Sequence, residues 1–364
     1  MIVDKLFLYQ FRNLKNQDIK FSNRLNLIYG NNGEGKTNLL EAIYLLSITK
    51  SFRQSNREDF ISFQEREASV FADIKDNVSL KNIGISFFRD QGKKLFINHD
   101  EEKSLSNFIK NLICICFTPN DLLMIRGASE LRRKFLDKHI SDYEPIYLNY
   151  LLQYKKALKN KTILLHQGAS KEQILPWNRI LADCGFFIQQ KRIEFLQKLE
   201  EYAKEIYSQI APNDDSLNLV LKNNFQNEVS KEALLIKYNN YLSQEIMFKK
   251  SLVGIHRDDL LVFLGDKDSK KYASQGQARS IVLSLKLGVL KLLESKLNES
   301  LVVLLDDMDS ELDDSRREML ITSIFEKTEQ VFISGVNKNI LDFLKNNEII
   351  KVFNLTCGKV CELC

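Results

Sequence analysis

Leu25-Asn26-Leu27-Ile28-Tyr29-Gly30-Asn31-Asn32-Gly33-Glu34-Gly35-Lys36-Thr37-Asn38-Leu39-Leu40-Glu41-Ala42-Ile43 is the stretch that decides the fold. It reads as an apolar strand, a glycine-rich loop and a helix, and the loop fits G-x-x-x-x-G-K-[ST] with the flanks a phosphate loop needs. Glycines at 30, 33 and 35 let the backbone turn its N–H groups inward at a helix N-terminus, which makes an anion cradle. The expected guest is a triphosphate, held along Gly30, Asn31, Asn32, Gly33, Glu34, Gly35, Lys36, Thr37 and Asn38. Lys36 would meet the β and γ phosphates, and the Thr37 hydroxyl would ligate Mg²⁺.

Working outward, the 364 residues suffice for two domains, or for one α/β domain carrying an insertion. Hydrophobic residues make up 44% and support a sizeable core, while the 27% of charged residues nearly cancel to a formal +4. Such a balance neither demands nor excludes nucleic acid, because a basic face fits inside a near-neutral total. No apolar run approaches the roughly 20 residues of a membrane span. Met1-Ile2-Val3-Asp4-Lys5-Leu6-Phe7-Leu8 has the pattern of a strand rather than of a leader, so the expectation is a cytoplasmic protein without a membrane partner. Six cysteines make no disulfide framework. Cys357, Cys361 and Cys364 have a spacing that can hold an iron–sulfur cluster, but their segment alternates like a hairpin with Cys357-Gly358-Lys359 at its turn.

Residues 2–9, 18–21, 25–29, 68–74, 80–88, 94–97 and 112–117 read as strands, and 36–48 as a helix. From 120 to 244 the pattern is helical, cut by Pro145, Gly168, Pro176, Gly185 and Pro212. Uninterrupted helices over that length would reach on the order of 90 Å; interrupted ones fold back into a lobe. Strand patterns return at 258–264, 301–305 and 330–334, and helical ones at 275–297 and 313–325. The expected organisation is a discontinuous core, 1–119 with 245–364, carrying an inserted helical lobe over 120–244.

Two further motifs carry chemistry. Leu301-Val302-Val303-Leu304-Leu305-Asp306-Asp307 is a buried strand that delivers an acid at its C-terminal end, where Asp306 would face the metal and Asp307 would orient or deprotonate water. Tyr272-Ala273-Ser274-Gln275-Gly276-Gln277 opens the 275–297 helix and offers a hydroxyl, a bare approach at Gly276 and unpaired N–H groups. By residue type alone Ser274 is an N-cap; as a site it is a second phosphate device in the same chain.

In order, the 30–37 loop, Ser274–Gln277, Asp306-Asp307 and Ser310-Glu311-Leu312-Asp313 resemble the Walker A, signature, Walker B and D-loop motifs of ABC-type ATPase heads of the SMC and Rad50 class. Within that class the chain is most similar to the bacterial RecF family, through Gly30–Ile43, Lys50-Ser51-Phe52-Arg53, Arg132-Arg133-Lys134-Phe135-Leu136-Asp137 and His256-Arg257-Asp258-Asp259-Leu260. The resemblance spans nearly the whole chain and is weakest over 143–244. It implies an ABC-type α/β head with a mixed β-sheet, a phosphate-loop core, an inserted lobe and no long coiled coil. It also implies ATP and Mg²⁺ as cofactors, and an ATP-dependent homodimer in which Ser274, Gln275, Gly276 and Gln277 of one copy meet the nucleotide held by Lys36 of the other. Binding to duplex DNA and single-strand–duplex junctions follows, with RecO- and RecR-type mediators as partners and slow, DNA-dependent ATP hydrolysis as a release step.

The sequence departs from the family pattern at Ile255, where proline is usual, and at Ala278, where a second glutamine is common. No histidine follows the 330–334 strand, where Ser334 stands, and no glutamine-loop residue is assignable. A transporter's energising subunit would need a switch histidine and a glutamate in place of Asp307. A long-armed tether would need an unbroken lobe and a Cys-x-x-Cys hook, and a fused nuclease would need more than the roughly 50 residues beyond Asp313. Basic candidates for a DNA backbone are Arg132, Arg133, Lys134 and Lys138; Lys155, Lys156, Lys159 and Lys161; and Lys249, Lys250, Lys270 and Lys271. His99, His139, His166 and His256 show no ligand spacing.

Overall fold

The computed structural model describes residues 1–53, 55–76, 79–223, 230–297, 301–307, 320, 324, 330–335 and 350–363. The D-loop segment, most of the 313–325 helix and Cys364 lie outside them. In chain order the first elements are β1 (Ile2–Tyr9), β2 (Gln17–Lys20), β3 (Leu25–Tyr29), α1 (Lys36–Ile48), β4 (Glu67–Lys75), β5 (Leu80–Phe88), β6 (Gly92–Ile97), β7 (Asp100–Glu102), α2 (Leu105–Ile109) and β8 (Cys114–Phe117). There follow α3 (Leu123–Arg126), α4 (Ser129–Tyr143), α5 (Pro145–Gln167), α6 (Lys171–Ile210), β9 (Leu217–Lys222), α7 (Lys231–Phe248), β10 (Asp259–Leu264), β11 (Lys267–Asp268), α8 (Ser269–Tyr272) and α9 (Gln275–Leu297). The last strands are β12 (Val302–Leu305), β13 (Gln330–Ser334), β14 (Ile350–Thr356) and β15 (Lys359–Leu363).

Two units result, Met1–Asp121 with Leu293–Cys364, and Leu122–Leu292. The first holds two six-stranded sheets, β2-β1-β4-β5-β6-β7 and β15-β14-β3-β13-β12-β8. The former is antiparallel throughout. Period-2 alternation sends Ala68, Val70, Ala72 and Ile74 of β4 into the same core as Leu39, Leu40 and Ile43 of α1 and Val302 and Leu304 of β12. In the second sheet β8, β12, β13, β3 and β14 are parallel neighbours. All four residues of β12 are buried, which is why it reads as an unbroken apolar run. Gln330, fully buried, ties the sheets together: its Oε1 accepts from Val3 N at 2.7 Å, and its Nε2 donates to Val3 O and Ser22 O at 2.8 Å each.

In the second unit, Pro176 and Gly185 do not cut the chain. Both lie inside α6, a helix of 40 residues. Pro176 is the sixth residue of the helix, past the turn whose N–H groups lack partners, so it forfeits one i→i−4 bond; burial of Ile174, Leu181, Ile188, Phe195, Leu199 and Ile206 along the length carries the helix through it. A strand, β9, sits within the stretch read as helical and pairs antiparallel with β10, Leu260 opposite Leu221. Residues 245–292, grouped with the core by sequence, pack in this unit. Arg192 reaches Asp258 at 2.8 Å and Asp137 at 2.8 Å, and a Cβ at Gly288 of α9 would stand 3.1 Å from Leu199 of α6. Among the described residues, no helix is long and apolar enough to cross a membrane.

Candidate functional site

Sheet order builds the site. β3 and β12 flank β13, so the loop leaving β3, Asp306 after β12 and Ser334 at the end of β13 emerge side by side at the C-terminal edge of parallel strands. The loop is shaped by Gly30, Gly33 and Gly35 at φ of 147°, 86° and 110°. At Gly35 a side chain would also collide, since a Cβ there would lie 2.7 Å from Asn13 Oδ1. Lys36 Nζ donates to the carbonyls of Gly30 at 2.5 Å and Asn31 at 3.1 Å, which points the ammonium into the loop's concave side.

Asp306 is buried and its Oδ1 accepts from Ser334 Oγ at 2.7 Å. Burial pushes its carboxyl above the usual range, while hydrogen bonds from the Ser334 and Thr37 hydroxyls pull it back. Thr37 and Asp306 therefore touch, and a hydroxyl beside a carboxylate is an all-oxygen set suited to Mg²⁺. Asp307 takes the left-handed conformation, φ 50°, and its N–H donates to Ser334 Oγ at 3.2 Å. Ser334 thus joins the backbone of one acid to the side chain of the other.

Asn13 belongs to the site although nothing in the sequence marked it. Its Nδ2 donates to the carbonyls of Gly33 at 3.2 Å and Glu34 at 3.0 Å, and its Oδ1 accepts from Asn38 Nδ2 at 2.7 Å. Asn38 in turn accepts from Arg53 at 3.0 Å. The only local signal is the tight Phe11-to-Leu14 turn, closed by backbone bonds of 2.9 and 2.8 Å.

Ser274 lies in the second unit. There it forms a capping box with Gln277: Ser274 N donates to Gln277 Oε1 at 2.9 Å, and Gln277 N to Ser274 Oγ at 3.1 Å. Gln277 Nε2 also reaches Asp214 Oδ1 at 3.2 Å. Ser274 and Gln275 are exposed, while Gly276 and Gln277 are half-buried.

Several basic candidates are structural instead. Arg132 is buried and grips Asp259 with two bonds of 2.7 and 2.9 Å, and Lys161 is fully buried against Glu245 at 2.6 Å. Arg133 donates to Asp258 O at 2.7 Å and Lys138 pairs with Asp142 at 2.6 Å, whereas Lys134 stays exposed in a surface pair with Glu130 at 2.7 Å. Lys155, Lys156, Lys159, Lys249, Lys250, Lys270 and Lys271 are exposed. Cys357 sits at the turn of a β14–β15 hairpin, and Cys361 is exposed on β15.

His139 and His256 are both pushed down to about 4 by burial, with Lys138 next to one and Arg257 next to the other adding to it. Asp258 is pushed up to about 6 by burial, against the pull of Arg192. Between about pH 4 and 6.5 the unfolded chain takes histidine protons that the folded unit refuses, so stability rises with pH there. Asp258 works in the opposite sense up to about pH 6, and Asp306, also held above its ordinary range, works with it, but the two histidines outweigh them. Stability should fall by about 2 kcal/mol from pH 7 to pH 5. Urea unfolding at both pH values checks this, and a flat profile would mean that the histidines titrate normally.

A family model described as RecF/RecN/SMC N terminal domain matches residues 2–359. The DNA replication and repair protein RecF of Streptococcus suis is 35% identical over 367 residues, covering 100% of both chains. That of Ligilactobacillus salivarius is 32% identical over 375 residues, covering 100% of this chain and 98% of the relative. A solved structure of the recombination mediator protein RecF with ATP, in the RecFOR pathway, superposes with a TM-score of 0.91 at 31% identity, covering 100% of this chain and 98% of the other. An SMC head bound to the C-winged helix domain of ScpA, at 16% identity and TM-score 0.57, shares the fold. With both sheets, the phosphate loop and the adjoining acid of such a head in place, the chain belongs to the RecF family of DNA replication and repair proteins, within the RecF/RecN/SMC class of ABC-type ATPase heads.

Proposed function

We propose that this protein is a recombination mediator that binds ATP with Mg²⁺ in the first unit, pairs with a second copy around the nucleotide, and engages gapped or junction DNA in that state. The observation that carries the reading is the meeting of Thr37 and Asp306 beside the Gly30–Thr37 loop. The backbone N–H groups of Gly30 to Asn38 would wrap the phosphates, Lys36 would neutralise the β and γ groups, and Thr37 with Asp306 would hold the metal. Bound there, Mg²⁺ supplies charge neutralisation of the triphosphate. Asp307, whose backbone N–H is tied to Ser334, would align water, and its short side chain would suit slow, DNA-dependent hydrolysis used for release. RecO- and RecR-type proteins are the proposed partners and the cytoplasm the proposed location. Exposed lysines such as Lys155, Lys156 and Lys159 are suited to sequence-independent backbone contacts, which salt weakens.

Ser274 stands exposed just before α9, and its hydroxyl would be offered to another copy's γ phosphate. Light scattering with ATP, ADP or no nucleotide, with and without gapped duplex, tests the composite site. Mass should double with ATP, and more readily with DNA. Ser274→Arg should leave ATP affinity within about twofold and abolish the doubling, because losing the cap costs only about 1 kcal/mol of folding energy while the bulky side chain blocks close approach. If Ser274→Arg still doubles normally, the composite site is wrong.

A further inference from the structure

Glu34 is out of place in an anion cradle. It puts a negative charge on the loop that is to hold a triphosphate, between two glycines whose N–H groups favour anions. The structure turns that carboxylate away: Glu34 Oε2 accepts the N–H of Cys357, 323 positions on, at the β14–β15 turn. The turn consists of Cys357 and Gly358 at φ of 51° and 72°, between Thr356 and Lys359, the last paired residues of the hairpin. A Cβ at Gly358 would overlap the Asn13 carbonyl, and one at Gly30 would lie 2.5 Å from the Leu355 carbonyl on β14. Gln17 holds the same turn from β2, with Nε2 3.5 Å from Gly358 O and Oε1 3.0 Å from Val360 N. The hairpin therefore meets the phosphate loop at its first glycine and at Glu34, while the Asn13 amide holds the Gly33 and Glu34 carbonyls.

We infer that the C-terminal hairpin is a clamp that sets the shape of the phosphate loop, with Glu34 as a positioning residue that acts through Cys357 N–H rather than a group that touches nucleotide. The inference rests on ATP binding at this loop. A tethered Glu34 keeps the loop N–H groups convergent before the nucleotide arrives, so the ordering cost is met in folding rather than in binding. It also holds its own charge on a donor, off the phosphates.

Calorimetric titration of ATP into the full chain with Mg²⁺, paired with melting curves without nucleotide, separates this from a general structural role. Glu34→Ala should raise the Kd about tenfold while the nucleotide-free melting temperature stays within about 2 °C. Glu34→Gln retains an acceptor for Cys357 N–H and should bind within about threefold of the wild type. Gly358→Val, which drives the turn off Asn13, should weaken ATP binding without altering the loop sequence. Wild-type affinity in Glu34→Ala overturns the inference, and so does a Glu34→Gln variant as weak as Glu34→Ala, which would mean that charge and not the tether matters. Failure of the wild type to bind ATP would instead remove the functional reading beneath it.

Discussion

Lys36→Ala should lose ATP affinity by about a hundredfold while the protein stays folded. The ammonium is half-exposed, and its partners in the structure are two loop carbonyls, Gly30 O at 2.5 Å and Asn31 O at 3.1 Å, which water can satisfy once it is gone. Removing it therefore opens no cavity and strands no buried charge. A triphosphate would lose a cation bonded to two phosphate groups, and each charge-assisted bond contributes about 1.5–3 kcal/mol. Since 1.4 kcal/mol is tenfold, about two decades is the scale expected. Nucleotide titration with a parallel melting curve reads both quantities. Unchanged affinity in the variant would place the triphosphate elsewhere.

Asp306→Asn should make the nucleotide-free protein more stable and its hydrolysis at least about a hundredfold slower. Burial holds the Asp306 carboxyl above its ordinary range, so the folded chain binds this proton more tightly than the unfolded chain does. Stability from this residue is then lost as pH rises above the ordinary value of 3.8, and at pH 7 its charge opposes folding. The amide keeps an oxygen for Ser334 and removes the charge, so Tm should rise by about 2 °C, with the gap to wild type opening as pH rises above 3.8. The same charge is what Mg²⁺ requires, and losing it should leave the triphosphate's developing charge uncompensated. Hydrolysis at the wild-type rate would show that another oxygen holds the metal. A lower Tm would mean that the carboxylate earns more from its two hydroxyl donors than burial takes.

Much of the fold was legible because some segments repeat one period without interruption. Ile2–Tyr9, Leu25–Tyr29, Lys36–Ile48, Gln275–Leu297 and Gln330–Ser334 have the bounds their patterns indicated. The reading failed where a local signal met a larger tertiary one. Pro176 and Gly185 are breakers in isolation, yet α6 continues through them because residues from Ile174 to Ile206 are buried along one face. Leu217–Lys222 is too short to declare itself within helical surroundings and becomes a strand by pairing with β10. Charge was the least legible property. Arg132 and Lys161 look like surface cations in a basic run, but both are buried on carboxylates far away in sequence.

What the sequence determined by itself was whatever depends on neighbours in the chain: the glycine loop between strand and helix, the acid at the end of an apolar strand, the capped start of α9. Backbone geometry and period set these, and both are local quantities. The tertiary structure alone decided that Ser334 joins the two acids, that Asn13 braces the loop, that Thr37 meets Asp306, and that Glu34 turns to Cys357. Each rests on one or two hydrogen bonds between residues far apart in the chain. Such a bond has no period or composition to announce it, and exists only because parallel strand order and the closing hairpin bring those backbones together.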